Sequence, residues 1–436
     1  MNQISINRFP FSSRRSFFVS SGVFLASLLL LSALRGQPPY GWPPNAFEPV
    51  TLERIEALPT TEVAAWNAYW QESERRQAAV ASQREVVLEA RAKGETEKEE
   101  HHSGAAVTRG IRLRETAEWY RSAEAAALAS RIVDWQSAAG GWQKGIDYRK
   151  PYQVSLRDTG VWGGGTIDNN AIYGELSFLA RIISANPNRP ETARWKGSFE
   201  RGFDYLFAAQ YPNGGFPQVY PLAGGYHDAI TLNDDAMSNV LKLLRDLSEG
   251  DKEYAFASET LRSAARHSLD RGVACVLSMQ QVDDEGRLTI WAQQYDALTL
   301  EPCAARNFEP IAEATGESSE MANFLMTLSH PSPELVASVE GAVSWMERSK
   351  LVGVQWGKGR DGHRDLIQRA NAKPLWARYY KPRTLTPIFG DRDRTVHFDV
   401  KEISDERRDG YAWYGDWPAS ALKRYERWRE KLNRKR

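Results

Sequence analysis

Three times along this chain an apolar helical segment runs into a glutamine and then into a glycine-bearing turn. The first copy is Ile132-Val133-Asp134-Trp135-Gln136 followed by Gly140-Gly141-Trp142. The second runs from Phe203 to Gln210 and into Tyr211-Pro212-Asn213-Gly214-Gly215-Phe216. The third runs from Val273 to Gln280 and into Asp284-Glu285-Gly286-Arg287-Leu288. The glycines recur at intervals of roughly 70 to 75 residues, the mark of an internal repeat.

Each copy continues through a polar loop towards a second helix. Ile172, Leu176, Leu179 and Ile183 share one helical face, as do Val240, Leu244 and Leu247, and the third copy offers Val339, Val343 and Met346. A helical hairpin with an apolar stripe buries that stripe only against its neighbours. The expected fold is therefore all-α: an incomplete α/α toroid of about three helical hairpin repeats. From about Val352 onward the periodicity stops, and Trp, Tyr, Arg, Pro and Gly dominate until Ala419. This irregular C-terminal part of loops and short strands is expected to pack over one mouth of the toroid.

The N-terminus has a different character. Arg14-Arg15 precede an apolar run from Phe17 to Leu34, so residues 1–35 are expected to be an export signal. Ser13-Arg14-Arg15-Ser16-Phe17-Phe18 resembles a twin-arginine signal; the positive region of an ordinary secretory signal fits the same residues. No later stretch is long and apolar enough to span a bilayer, so stable membrane association is not expected of the mature chain. Residues 36–109 read as a Pro- and Gly-rich linker followed by a helical appendage from about Thr61 to Ala92, packed on the outside. The catalytic region is expected over residues 110–436. Cys275 and Cys303 are a candidate disulfide in an oxidising compartment, but the apolar run around Cys275 favours a buried thiol.

Charge excludes one class of partner. Lys plus Arg and Asp plus Glu are equal at 56 each, so no basic excess exists to neutralise nucleic-acid phosphates. The 15 Trp and 17 Tyr suit sugar stacking, although most aromatics in a chain of this size fill core.

Two polar segments open the second helices of their repeats: Thr166-Ile167-Asp168-Asn169-Asn170 and Thr231-Leu232-Asn233-Asp234-Asp235. Helix capping explains Asp and Asn at such positions. A hard cation such as Ca²⁺ is the other reading, because converging oxygen ligands suit it and both segments follow Gly-rich loops. Downstream lie Arg306, Arg378, Arg392, Arg407 and Arg408 among aromatics. Guanidinium groups grip carboxylates in bidentate fashion while rings stack on pyranose faces, which suits an anionic sugar acid. Arg407 and Arg408 also have acidic neighbours and are expected in structural bridges.

The sequence also carries GGWQK at 140–144, TIDNN at 166–170, QYPNGGFPQVYPL at 210–222, HDAITLNDDAM at 227–237 and WAQQYDALTLEPCAARNFEP at 291–310. LWARYY at 375–380, PIFGDRD at 387–393 and SDERRDGYAWYGDWP at 404–418 follow in order. These motifs, spread over roughly residues 110 to 420, resemble polysaccharide lyase family ten, the pectate lyases.

The resemblance implies Ca²⁺-dependent anti β-elimination on α-1,4-polygalacturonate (pectin), giving 4,5-unsaturated products, by an exported, monomeric enzyme. It implies Arg306 as the base that abstracts the C5 proton and Asp168 as a second catalytic residue. Asn169, Lys144, Arg378 and Arg392 are the expected substrate-binding residues, and Asp234 and Asp235 the expected calcium ligands. Two other classes of function fit the same residues. An inverting polysaccharide hydrolase would use Asp168 and Asp234 around a water; a uronate-binding protein without turnover would keep only the cleft.

Overall fold

The computed structural model describes residues 40–42, 47–93, 108–151, 163–250 and 252–435. The expected export signal and most of the linker lie outside the described residues. Nine helices carry the argument: α1 (Thr60–Ala92), α2 (Ala123–Asp134), α3 (Tyr173–Ala185), α4 (Thr192–Ala209), α5 (Ala236–Glu249), α6 (Glu259–Met279), α7 (Thr315–Leu325), α8 (Pro333–Arg348) and α9 (Pro418–Lys435). None of the helices among the described residues is long and apolar enough to cross a membrane.

The helices form two layers. α2, α4, α6 and α8 neighbour one another in sequence order along one layer, and α3, α5, α7 and α9 along the other. The first layer is amphipathic, whereas α3, α5 and α7 are buried on almost every side. That is the expected all-α toroid of hairpins, with a fourth pair added. Val339, Val343 and Met346 belong to α8, the opening helix of that fourth pair, and the third pair closes with α7 instead. The sequence hid this because α7 buries polar residues (Thr315, Glu317, Ser318, Ser319 and Asn323) beside apolar ones, so its buried face carries no apolar 3.6-residue stripe.

The repeat glutamines hold the hairpins together. Gln136 Nε2 donates to Gly140 O at 2.8 Å and to Ser198 O of the next first-layer helix at 2.9 Å. Gln210 repeats this with Gly214 O at 3.0 Å and Ser268 O at 2.9 Å, and Gln280 with Thr289 O at 2.7 Å and Ser338 O at 3.0 Å. Each amide thus satisfies carbonyls of its own turn and of the adjacent helix, which no apolar side chain does. Trp142, Trp291 and Trp376 anchor the following loops by donating to Ile132 O, Val276 O and Met346 O at 2.8, 2.8 and 2.7 Å. The large aromatic content is thereby spent mainly on core: Trp66, Trp142, Trp195, Trp291, Trp345, Trp376 and Trp413 are all buried.

The two layers begin differently. Ser122, Ser258 and Ser332 cap α2, α6 and α8, each accepting a backbone N–H through Oγ, a contribution of about 1 kcal/mol apiece. α3, α5 and α7 have no side-chain cap. The loops feeding them are stitched by two-residue antiparallel ladders: Ile230–Thr231 with Gln294–Tyr295, Glu313–Ala314 with Tyr379–Tyr380, and Trp376–Ala377 with Tyr414–Gly415. These ladders bring the non-helical segments of successive repeats to one end of the molecule. The expected loops and short strands of the C-terminal part are there, including the hairpin Val354–Lys358 with Arg364–Gln368.

α1 lies against α4. Trp66 and Tyr69 are buried against Tyr211, with ring centroids 5.1 and 4.9 Å apart, and burial of each stabilises the packing by roughly 2 kcal/mol. Arg76 donates to Ala139 O at 2.8 Å and pairs with Asp204 at 2.7 Å. Cys275 and Cys303 are both buried free thiols.

Candidate active site

The two polar segments do not cap helices. Asp168–Asn170 and Asn233–Asp235 are single turns in which consecutive residues take positive φ: 53° and 63° at Asn169 and Asn170, 50° and 62° at Asp234 and Asp235. Left-handed backbone costs an L-residue about 1–2 kcal/mol, least for Asn and Asp. Strain of this kind persists only where the surroundings enforce it, and it collects at functional sites. The turns are equivalent in the repeat and touch, and Asn239 Nδ2 of α5, the helix that follows the second turn, donates to Asn170 Oδ1 at 2.9 Å.

Asp168 is buried and paired with Lys144, Nζ to Oδ2 at 2.5 Å. Its other oxygen, Oδ1, is buried without a hydrogen-bond partner. His227 sits beside this pair. Burial, and then the Lys144 charge, push its pKa down to about 4, so the ring is neutral.

Arg306 occupies a tight turn closed by Glu309 N donating to Arg306 O at 2.8 Å. Its Nε donates to Glu309 Oε2 at 2.7 Å and its Nη2 to Glu309 Oε1. Glu309 is buried and also accepts from Tyr411 Oη at 3.0 Å and from Gln293 Nε2 at 3.4 Å. Gln293 in turn donates to Asn233 Oδ1 and accepts from Tyr379 Oη. A buried network therefore joins the Arg306 turn to the Asn233 turn. Phe308 is flanked by three guanidiniums, with Arg306, Arg392 and Arg407 at 4.9, 5.3 and 4.6 Å from its ring centre.

Asp234 and Asp235 line a cavity of about 430 Å³ with Glu317, Glu320, Arg378, Asp416 and Trp417. Neither has a salt-bridge partner among the described residues. Burial raises the Asp234 pKa, with Asp168 adding to it and Arg378 and Arg306 opposing it. Burial and then Glu320 push Asp235 up to about 7. Carboxylates held this way, with no salt bridge among the described residues, are the type of donor a hard divalent ion takes. No group of three or more His, Cys, Asp and Glu side chains among the described residues is placed to hold a metal ion by itself.

The Asp168–Asn170 turn thus touches the Asn233–Asp235 turn, Lys144 is paired with Asp168, and Asp168 and Arg306 lie within electrostatic reach of Asp234. Arg378 borders the cavity, but its guanidinium is committed to Glu317 at 2.8 Å and stacked on Tyr411 at 5.0 Å. Arg392 is exposed and paired with Glu406 at 2.9 Å. Arg407 and Arg408 form the expected bridges, to Glu406 and to Asp361. Sequence reasoning did not single out Glu309, Gln293, Tyr379, Tyr411 or Phe308. The spacing of Glu309 three residues after Arg306 was visible, but pairing across it depends on the turn.

The family model for pectic acid lyases matches residues 136–422. Among solved structures, the fold is similar to a family 10 polysaccharide lyase from Cellvibrio cellulosa, with TM-score 0.62 and 27% identity, covering 74% of this chain and 99% of that one. A mutant of a family 10 polysaccharide lyase from the same organism, in complex with trigalacturonic acid, aligns with TM-score 0.63 and 28% identity over 71% of this chain and 95% of that one. The curated proteins include no match. With the matched region running from the Gln136 turn that follows α2 to the start of α9, and the strained turns and the Arg306 turn inside it, the chain belongs to the pectic acid lyase family and is a lyase acting on polysaccharides.

Proposed function

We propose that this protein cleaves α-1,4-polygalacturonate by calcium-assisted anti β-elimination, and that Arg306 removes the C5 proton. The observation that carries the reading is that Arg306, whose Nη1 has no hydrogen bond among the described residues, lies within electrostatic reach of Asp234, which with Asp235 lines a cavity and has no salt-bridge partner among the described residues. It is supported by the trigalacturonic acid bound to the similar lyase.

The C5 proton lies α to the uronate carboxylate, so its removal places negative charge on that group. Cations beside the carboxylate stabilise this charge as it develops. Ca²⁺ held by Asp234 and Asp235, with its remaining oxygens from substrate and water, would supply that neutralisation and orient the sugar. Lys144 lies beside Asp168 and, with Asn169 and Arg392, is suited to gripping uronate carboxylates. Asp168 holds Lys144 in place, and its other oxygen, Oδ1, is buried with no hydrogen-bond partner among the described residues. Arg306 takes up the proton through Nη1 while Glu309 holds the other edge of the guanidinium. Glu309 outweighs burial and raises the Arg306 pKa, so the neutral guanidine that accepts the proton is favoured only when a further cation is bound beside it. The residues ahead of the described region belong to this reading as an export signal, and the enzyme works as an exported monomer.

The test is ultraviolet absorbance during incubation with polygalacturonate, with calcium and with a chelator. A chromophore from the 4,5-unsaturated product that grows only with calcium, and that falls by about 10²–10⁴-fold in Arg306→Ala, is the expected result. Rising reducing ends with no chromophore would replace elimination by hydrolysis at Asp168 and Asp234. Tight binding without either signal would leave a uronate-binding protein.

A further inference from the structure

A short segment ahead of the matched region touches three of the loops that build the cleft. Tyr40–Gly41 pairs antiparallel with Thr395–His397, Tyr40 opposite Val396 and Gly41 opposite Thr395, and Trp42 N donates to Arg394 O at 3.2 Å. That strand directly follows the turn bearing Arg392, and Arg394 Nε reaches Asn307 Oδ1, next to Arg306, at 3.3 Å.

Phe47 meets Tyr226 edge to face, with ring centroids 6.0 Å apart, and Tyr226 packs on His227 at 4.1 Å. Tyr226 is within electrostatic reach of Arg306, Glu309 and Asp168. The loop that carries it is pinned from beneath by Asp228, which is buried and accepts from Gly224 N at 2.9 Å, Ala223 N at 3.1 Å and, from the N-terminal segment, Val50 N at 3.2 Å.

Arg54 makes the third attachment. Its Nη2 donates to both oxygens of Asp296, at 2.9 and 2.8 Å, while its Nη1 donates to Glu48 O and Pro49 O, at 3.0 and 2.9 Å. Asp296 Oδ1 accepts from Leu298 N, Thr299 N and Thr299 Oγ1 at 3.0, 2.9 and 3.1 Å, folding the loop that leads to Arg306.

We infer that this N-terminal segment is part of the catalytic apparatus, with Arg54 and Phe47 as positioning residues for the Arg306 turn and for Tyr226. A guanidinium bound to both oxygens of Asp296, a buried carboxylate shared between two segments and an aromatic edge contact are rigid attachments, the first on the 296–301 loop and the other two on the 223–228 loop. The anchoring of α1 on α4 through Trp66, Tyr69 and Arg76 holds the segment's far end. The domain division expected from sequence, an appendage ending before residue 110, therefore does not coincide with the functional one. The inference rests on the lyase reading for its kinetic readout, but its physical content does not.

The experiment compares wild type, Arg54→Ala, Arg54→Lys, Phe47→Ala and Phe47→Tyr in the full chain, by turnover on polygalacturonate and by hydrogen exchange. Because a misplacement of about 1 Å at a reacting group costs up to about 10²-fold, Arg54→Ala should lose roughly tenfold or more in kcat while KM changes little. Arg54→Lys keeps the charge but not the fork, so it should fall between. Phe47→Ala should raise KM, and Phe47→Tyr should restore it. Amides of 224–228 and 296–301 should exchange faster in both alanine variants. Folded variants with the kcat, KM and exchange of wild type would overturn the inference, as would a loss of thermal stability with loop exchange and kcat of the folded protein unchanged. A wild type that yields no unsaturated product would instead sink the lyase reading, and the exchange measurement would still decide the role of the segment.

Discussion

Arg306 grips Glu309 through Nε at 2.7 Å and through Nη2, and leaves Nη1 with no hydrogen bond among the described residues. Burial weakens the basicity of Arg306, but the Glu309 carboxylate outweighs it and the pKa is raised overall. The same pair therefore orients the guanidinium and opposes its deprotonation. Glu309→Gln keeps the shape and removes the charge. Its effect on Arg306 has a definite sign: the pKa falls, and the alkaline rise of kcat should appear at lower pH than in wild type. A pH–rate profile checks this; a rise that stays put or moves upward would show that Arg306 is not the proton abstractor.

Asp235 predicts how calcium and pH combine. Its pKa rises on folding, from the ordinary Asp value to about 7. A raised carboxylate stabilises the fold below the unfolded pKa and loses that contribution as pH climbs through the folded one. The metal-free protein should therefore weaken between about pH 4 and 7. Calcium competes with the proton for the same oxygens, so it should raise the melting temperature more at pH 8 than at pH 5. Thermal denaturation with and without calcium measures this, and Asp235→Asn should remove most of the pH dependence of the calcium effect, while Glu175 and Glu313, also raised to about 7, keep part of that of the metal-free protein.

Lys144 and Asp168 separate stability from turnover. Lys144→Ala leaves the buried Asp168 carboxylate uncompensated, a loss of about 3 kcal/mol by chemical denaturation. Adding Asp168→Asn removes the stranded charge and should recover most of that stability. Activity should not return, because both residues border the reacting sugar in the proposed mechanism. Recovery of turnover in the double variant would make the pair purely structural.

The glutamine clamps make the opposite prediction. Gln210→Ala breaks the link between α4 and α6 and leaves buried carbonyls at Gly214 and Ser268 unmatched, at about 1–3 kcal/mol. Urea unfolding should show that loss, with kcat of the folded enzyme close to wild type because the clamp lies at the end of a first-layer helix rather than in the cleft loops. A large fall in kcat would show that hairpin spacing is transmitted to the site.

The periodic signal determined the helical layers. A glutamine and a glycine turn recurring with an apolar helix allow few solutions other than stacked hairpins, and the clamp of Gln136, Gln210 and Gln280 is the physical reason for the recurrence. The residue types at 166–170 and 231–235 likewise showed hard oxygen donors in equivalent places. Local sequence did not show that these donors leave the helix ends uncapped. Asp and Asn serve both purposes, and only the φ values of 50–63° at Asn169, Asn170, Asp234 and Asp235 distinguish them.

Tertiary structure decided the rest, because the deciding contacts join residues far apart in the chain. Arg54 meets Asp296 and Val50 meets Asp228 only after the hairpins have closed. Arg378 and Arg306 read alike in sequence, as arginines near aromatics. Packing commits Arg378 to Glu317, whereas the turn at 306–309 keeps one edge of Arg306 open to the cleft. The fourth hairpin was hidden for a related reason: α7 is buried through Thr315, Glu317, Ser318, Ser319 and Asn323 as well as through apolar residues, and buried polar positions leave no apolar periodic trace. Sequence thus determined what the chain is built from and which chemistry it carries. Burial and long-range pairing decided which of those groups are free to act.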